Sequence, residues 1–168
     1  MLSVADFADK SGGCLLRPIC LADAAELAAI YTDARTQQFV GQLLPHAEAL
    51  ARIEACVSAN QQPQLQKFYL ALENPQQQLV GMLAVFAINA AERTLELGIM
   101  LLPGRQQPGL AKTAYSALMS RARALGFAVQ ASIHPQNLAA IRLARQCGMQ
   151  LQHTSAQELR FSCCGKER

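Results

Sequence analysis

The chain has 168 residues, 51% hydrophobic and 16% charged, with no tryptophan; this supports one domain with an aliphatic core and excludes a disordered chain. No apolar run is long enough to span a bilayer. The net charge of +3 conceals a split, six Lys/Arg against ten Asp/Glu in residues 1–104 and nine against two in residues 105–168, and the basic second half suits a polyanionic ligand.

Residues 1–13 contain acids and no basic-then-apolar targeting signal, so they read as a loose leader and the protein as cytoplasmic. "CLLRPI" is a short strand. Leu21, Ala24, Leu27, Ala28 and Tyr31 then recur at helical spacing, predicting a helix over 21–35 with Asp23 and Glu26 in its first turn, where negative charge complements the dipole. A second helix over 46–58 begins after Pro45, with Ala47, Leu50, Ile53 and Val57 on one face. Three strands follow at 68–73, 79–88 and 94–102, with connections short enough for an antiparallel meander. Gly98 inside the third implies a bulge or a close backbone approach. After Pro103 and a turn, a helix runs to a glycine cap at Gly126. A strand at 128–134 leads to a helix with Asn137 as N-cap and Gly148 at its exit. "LQH" and "ELRFSC" are the last strands, leaving 163–168 as a tail. The order β-α-α-β-β-β-α-β-α-β-β is an α+β fold, a mixed sheet flanked by helices.

The six cysteines include no C-x-x-C pair, and no histidine stands at ligand spacing, so no metal site is expected. They read as small buried hydrophobes or surface thiols, with Cys163 and Cys164 exposed. No basic run interleaves with aromatics, so a phosphorylated cofactor ranks above nucleic acid as the polyanion.

The turn in "LLPGRQQPGLAKTAY" has the parts of an anion cradle: a strand end, a glycine turn and a helix start whose N–H groups and dipole face the same point. Gly109 permits close approach and a left-handed φ. Pro108 has no N–H to give, which leaves Gln107, Gly109, Leu110 and Ala111 as donors, with Arg105 and Lys112 adding positive charge.

The chain resembles the GNAT superfamily of acyl-CoA-dependent N-acyltransferases over about residues 14–162, most closely the branch similar to ribosomal-protein N-terminal acetyltransferases. Arg17, Pro18 and Asp23 match "LRP…D", and Glu96, Leu97 and Gly98 match the E-L-G of the fourth strand. Gln106, Gly109 and Ala111 match Q/R-x-x-G-x-G/A. Asn137, Ala140, Ile141, Arg142 and Gly148 match N-x-x-S/A-I-R…G-F, with Met149 in place of the aromatic.

The resemblance implies a mostly antiparallel sheet of six to seven strands with about four helices, forming a single domain over 14–162. It implies acetyl-CoA as co-substrate, no metal, and transfer of acetyl to a primary amine by direct attack. It places the pyrophosphate on Gln106, Gln107, Gly109, Leu110, Ala111 and Lys112, the pantetheine along the main chain near Met100 and Leu101, and Asn137 and Arg142 toward the coenzyme. Glu96 is the expected base. The tyrosine that the family often uses as an acid aligns with Ala144. His134 stands at a strand end near the cleft, and Tyr31 and Tyr115 read as packing residues. The acceptor stays open among a protein N-terminus, an amino acid, a polyamine and an aminoglycoside, bound by a monomer or homodimer without nucleic acid or membrane. The alternative is a non-catalytic CoA-binding or protein-interaction module that keeps the fold, an option raised by Gln107, Pro108 and Ala144.

Overall fold

The structure is a computed structural model that describes residues 2–10 and 13–163. A seven-stranded sheet has the order β1-β2-β3-β4-β5-β7-β6. Its strands are β1 (Leu15–Pro18), β2 (Phe68–Glu73), β3 (Leu79–Asn89), β4 (Thr94–Leu101), β5 (Ala128–Ile133), β6 (Gln150–Thr154) and β7 (Leu159–Cys163). Every neighbouring pair is antiparallel except β4–β5. That pair is joined only over Thr94↔Ala128, Leu95↔Val129 and Glu96↔Gln130. Beyond Glu96 the two strands part, and this splay positions the site.

Among the described residues five α-helices flank the sheet: α1 (Ala24–Thr32), α2 (Ala34–Gln37), α3 (His46–Ala59), α4 (Leu110–Ala124) and α5 (Leu138–Gln146). Alternation along β4 divides its side chains between the two faces. Leu95, Leu97, Ile99 and Leu101 belong to a cluster with Leu118, Met119 and Ile141 of α4 and α5. Met100 belongs to another cluster with Leu27, Ile30 and Ile53 of α1 and α3. Among the described residues no helix is long and apolar enough to cross a membrane.

Several sequence expectations are corrected. The helix predicted over 21–35 is broken into a 3-10 turn at Leu21–Asp23, then α1 and α2. Asp33 makes the break, extended at φ −94° and ψ 121°, with its side chain accepting from the Thr36 N–H. On α3 the buried face includes Ala49, Ile53, Cys56 and Val57, while Ala47 is exposed.

The expected loose leader is anchored where it is described. Val4–Phe7 forms a 3-10 turn, Phe7 is fully buried with its ring 4.8 Å from that of Phe68, and Asp9 bridges Leu16. Apolar burial of one phenyl ring outweighs the absence of helical periodicity in so short a segment. Cys163 is half-buried opposite Val129 rather than exposed, and Cys164 lies outside the described residues.

Gly98 carries no bulge. It pairs regularly with Ala84, and the register shift falls between Phe86 and Asn89, where Ala87 takes φ +49°. The close backbone approach belongs to Gly81: a Cβ there would lie 2.4 Å from the Met100 carbonyl oxygen. Glycine thus lets β3 hold β4 tightly where β4 has left β5.

Candidate active site

A cavity of about 290 Å³ occupies the splay. Its lining comes from both faces of the sheet. Tyr115 of α4 and Asn137, Ala140 and Ala144 at α5 approach from one side; Phe39, Val40, Phe86, Met100 and His134 approach from the other. The gap between β4 and β5 therefore joins the two faces. Main-chain groups freed where the ladder stops are the natural partners of an extended ligand inserted there.

Gly98 lines this cavity, and its missing side chain keeps the passage open. Met100 lines it too, its Sδ lying 3.9 Å from Nε2 of the buried Gln37, which also donates to the Ile30 carbonyl. Leu101 points to the opposite face, into the α4–α5 cluster. Asn137 caps α5, its Oδ1 accepting from the Ala140 N–H at 3.2 Å, while it also borders the cavity. Arg142 is exposed on α5 and has no ion-pair partner among the described residues.

Glu96 is half-buried in the last paired position before the splay, between Phe86 and Gln130 in register. It shares a strand face with Gly98 and Met100 but does not itself line the cavity. Tyr115, read from the sequence as a packing residue, is buried and also lines the cavity, donating from its hydroxyl to the Leu97 carbonyl at 3.2 Å. Burial first, then the charges of Cys147 and Glu96, push its hydroxyl above the ordinary tyrosine range.

The turn before α4 has the form of an anion nest. Gly109 is the N-cap at φ +81°, and nothing lies within 4 Å of where a Cβ would stand. The Leu110 N–H is bound to the Gln107 carbonyl, so it leaves the expected donor set. Among the described residues, the N–H groups of Gln107, Gly109, Ala111 and Lys112 meet no acceptor within the chain. Pro108 therefore costs one donor but does not close the turn, and the remaining donors and open space fit a diphosphate.

Arg105 does not serve this nest. It donates to Glu26 of α1 and, at 2.7 Å, to the Leu79 carbonyl. The side chains of Gln106 and Gln107 border a different, polar cavity of about 530 Å³ shared with Arg17, Asp23, Glu26 and Glu73. Arg17 is locked there by two 2.8 Å bonds to Asp23 and one of 2.7 Å to Glu73. These bonds raise the Arg17 pKa; burial alone would lift that of Asp23, but Arg17 and the Cys20 N–H outweigh it and hold the carboxyl below its usual range. The "LRP…D" match is therefore a structural clamp between β1, β2 and α1.

The sequence reading missed Phe39 and Val40. They lie in the irregular segment after α2, where no periodicity marks a function. Their ring and isopropyl groups become wall residues only because that segment crosses to β5, where Phe39 stacks on His134 with centroids 5.2 Å apart and planes at 23°.

A family profile described as an acetyltransferase (GNAT) domain matches residues 14–150. Comparison with curated proteins finds no match. Among solved structures, a GNAT-family acetyltransferase from Bacillus anthracis is 16% identical with a TM-score of 0.77, over 94% of this chain and 98% of that one. Spermidine N-acetyltransferase from Vibrio cholerae, in complex with CoA and spermine, is 16% identical with a TM-score of 0.76, over 91% and 96%. RimL, a ribosomal L7/L12 alpha-N-protein acetyltransferase, is 16% identical with a TM-score of 0.78, over 94% and 93%. At these identities the likeness establishes a common fold.

Proposed function

The chain belongs to the GNAT family of acetyltransferases, and we propose that it transfers acetyl from acetyl-CoA to a primary amine by direct attack. The observation that carries this reading is the pairing of an open nest at Gly109 with a cavity through the splay. One accommodates a diphosphate, and the other gives a thin acyl-bearing arm access to an amine from the opposite face.

Acetyl-CoA supplies an acetyl group already activated as a thioester. The N–H groups of Gln107, Gly109, Ala111 and Lys112 would hold its diphosphate, helped by the positive end of α4. The main chain of β4 near Met100 and Leu101 would align its arm, and the same strand offers N–H donors to the carbonyl oxygen as negative charge develops there.

Acetylation joins the amine nitrogen to the acetyl carbon as the carbon–sulfur bond breaks, so one proton leaves the amine and one reaches the sulfur. An α-amino group titrates at about 7.7–8.0 and a lysine at about 10.4, so a base is needed near neutrality. Glu96 takes that proton, directly or through water, from its place at the vertex. Ala144 offers no hydroxyl and that of Tyr115 is already given to the Leu97 carbonyl, so the sulfur takes its proton from solvent.

The test has two stages. Acetyl-CoA at about a hundred times its Kd should stabilise the fold by ~2.7 kcal/mol, and a panel of amines should then release free thiol. Stabilisation without turnover by any amine would favour the non-catalytic alternative, to which Ala144 points. No stabilisation at millimolar acetyl-CoA would overturn both.

A further inference from the structure

We infer that the acceptor is a monoamine whose amino group is carried on an uncharged apolar or aromatic body, recognised by the Phe39–His134 ring pair. This rests on the transferase reading and narrows it. The acceptor side of the cavity is walled by Phe39, Val40, Ala84, Phe86, Met100 and His134. Among the described residues no Asp, Glu, Lys or Arg lines the cavity, and His134 is its one ionisable side chain apart from the buried Tyr115.

Glu96, just outside this lining, is engaged with the reacting amine, so a polyamine or aminoglycoside would bring further ammonium groups against the wall with no second carboxylate to receive them. Desolvating an unpaired cation is strongly unfavourable. Three carboxylates line the polar cavity beside α1, but there Asp23 and Glu73 are paired with Arg17 and Glu26 with Arg105.

His134 does not substitute for a carboxylate. Its Nδ1 accepts from the Gln136 N–H at 3.2 Å, so the neutral ring carries its proton on Nε2 and can only donate outward. Protonated, it would repel a second ammonium. What the pair does offer is an aromatic surface, stacked at 5.2 Å and continuous with Val40. The lip repeats the theme. Val40 lines the cavity and is 55% exposed.

The experiment compares kcat/KM, by thiol release from acetyl-CoA, for 2-phenylethylamine, phenylalanine amide and a tetrapeptide beginning with phenylalanine against spermidine and an aminoglycoside. The three phenyl-bearing amines carry the same chemistry, and their ranking separates a free-amine source from a peptide one. The expected result is a preference of about tenfold or more for the best of them over spermidine. Phe39→Ala should raise its KM about three- to tenfold, with Phe39→Leu intermediate and the stabilisation by acetyl-CoA unchanged in both. Val40→Asp should narrow the preference by improving spermidine. Preference for spermidine or the aminoglycoside, or a KM indifferent to Phe39→Ala, would overturn the inference while leaving the transferase reading intact. Acetyl-CoA binding with no turnover of any amine would overturn both, and absence of acetyl-CoA binding would remove the reading on which they rest.

Discussion

Replacing Gly109 by alanine tests the nest against a matched control in the same fold. Gly109 has φ +81° and Gly148 has φ +79°, and at neither would a Cβ meet any atom within 4 Å. Alanine at either position pays only the strain of a left-handed backbone, about 1–2 kcal/mol. For a chain of this size that lowers Tm by roughly 2–8 °C. The two sites differ in where they stand. Gly148 follows the end of α5, whereas Gly109 stands in the turn whose four N–H groups lack an acceptor among the described residues. A methyl there would hold a phosphate back from at least one donor. The loss of one hydrogen bond to a charged group is ~1.5–3 kcal/mol, which is roughly 10- to 150-fold in Kd. Thermal unfolding of the free proteins measures the strain, and calorimetric titration with acetyl-CoA measures the affinity. Matched losses of stability with weakened binding only in Gly109→Ala are expected. Equal affinity in the two variants would refute the placement of the coenzyme at this turn.

Glu96→Gln should lower kcat by about 10²–10⁴ with the acetyl-CoA stabilisation unchanged; a rate within twofold of the parent across pH 6–9 would remove Glu96 as the base. Arg17→Met should destabilise by about 3 kcal/mol, because it leaves the Asp23 and Glu73 carboxylates, 7% and 13% exposed, without their counter-charge. The native Asp23 carboxyl lies below its usual 3.8, so this contribution is complete above that value and disappears as pH falls through the lower native one. The gap in stability between parent and variant should therefore hold from about pH 6 to 8 and narrow below about pH 4. Phe7→Ala should cost about 3–4 kcal/mol and lower Tm by roughly 10 °C, since the ring is fully buried against Phe68; a shift under 2 °C would mean that the segment is dispensable.

The regular elements were legible because hydrophobic period and glycine or proline punctuation agree along most of the chain. The strand at 68–73, the one expected over 128–134 and found at 128–133, and the N-cap at Asn137 follow directly. What the sequence could not carry was information held between distant segments. Phe7 looks like part of a polar leader until its contact with Phe68 is seen. Gly98 and Gly81 look alike on paper, yet only Gly81 faces a carbonyl oxygen at a distance no Cβ could tolerate. At the candidate site, motif matching pointed to the turn around Gly109 but not to which N–H groups remain unbonded. It counted the Leu110 N–H, which a local turn already uses, and Arg105, which Glu26 and the Leu79 carbonyl hold. Phe39 and Val40 were invisible because a wall residue in an irregular segment has no periodic signature.

A crystal structure with acetyl-CoA tests the central claim most directly. The diphosphate should lie within about 2.7–3.2 Å of the main-chain nitrogens of Gln107, Gly109, Ala111 and Lys112, with the thioester between β4 and β5 beside Gly98. A coenzyme seated instead in the polar cavity of Arg17, Gln77 and Gln106, or leaving the β4–β5 gap empty, would contradict it.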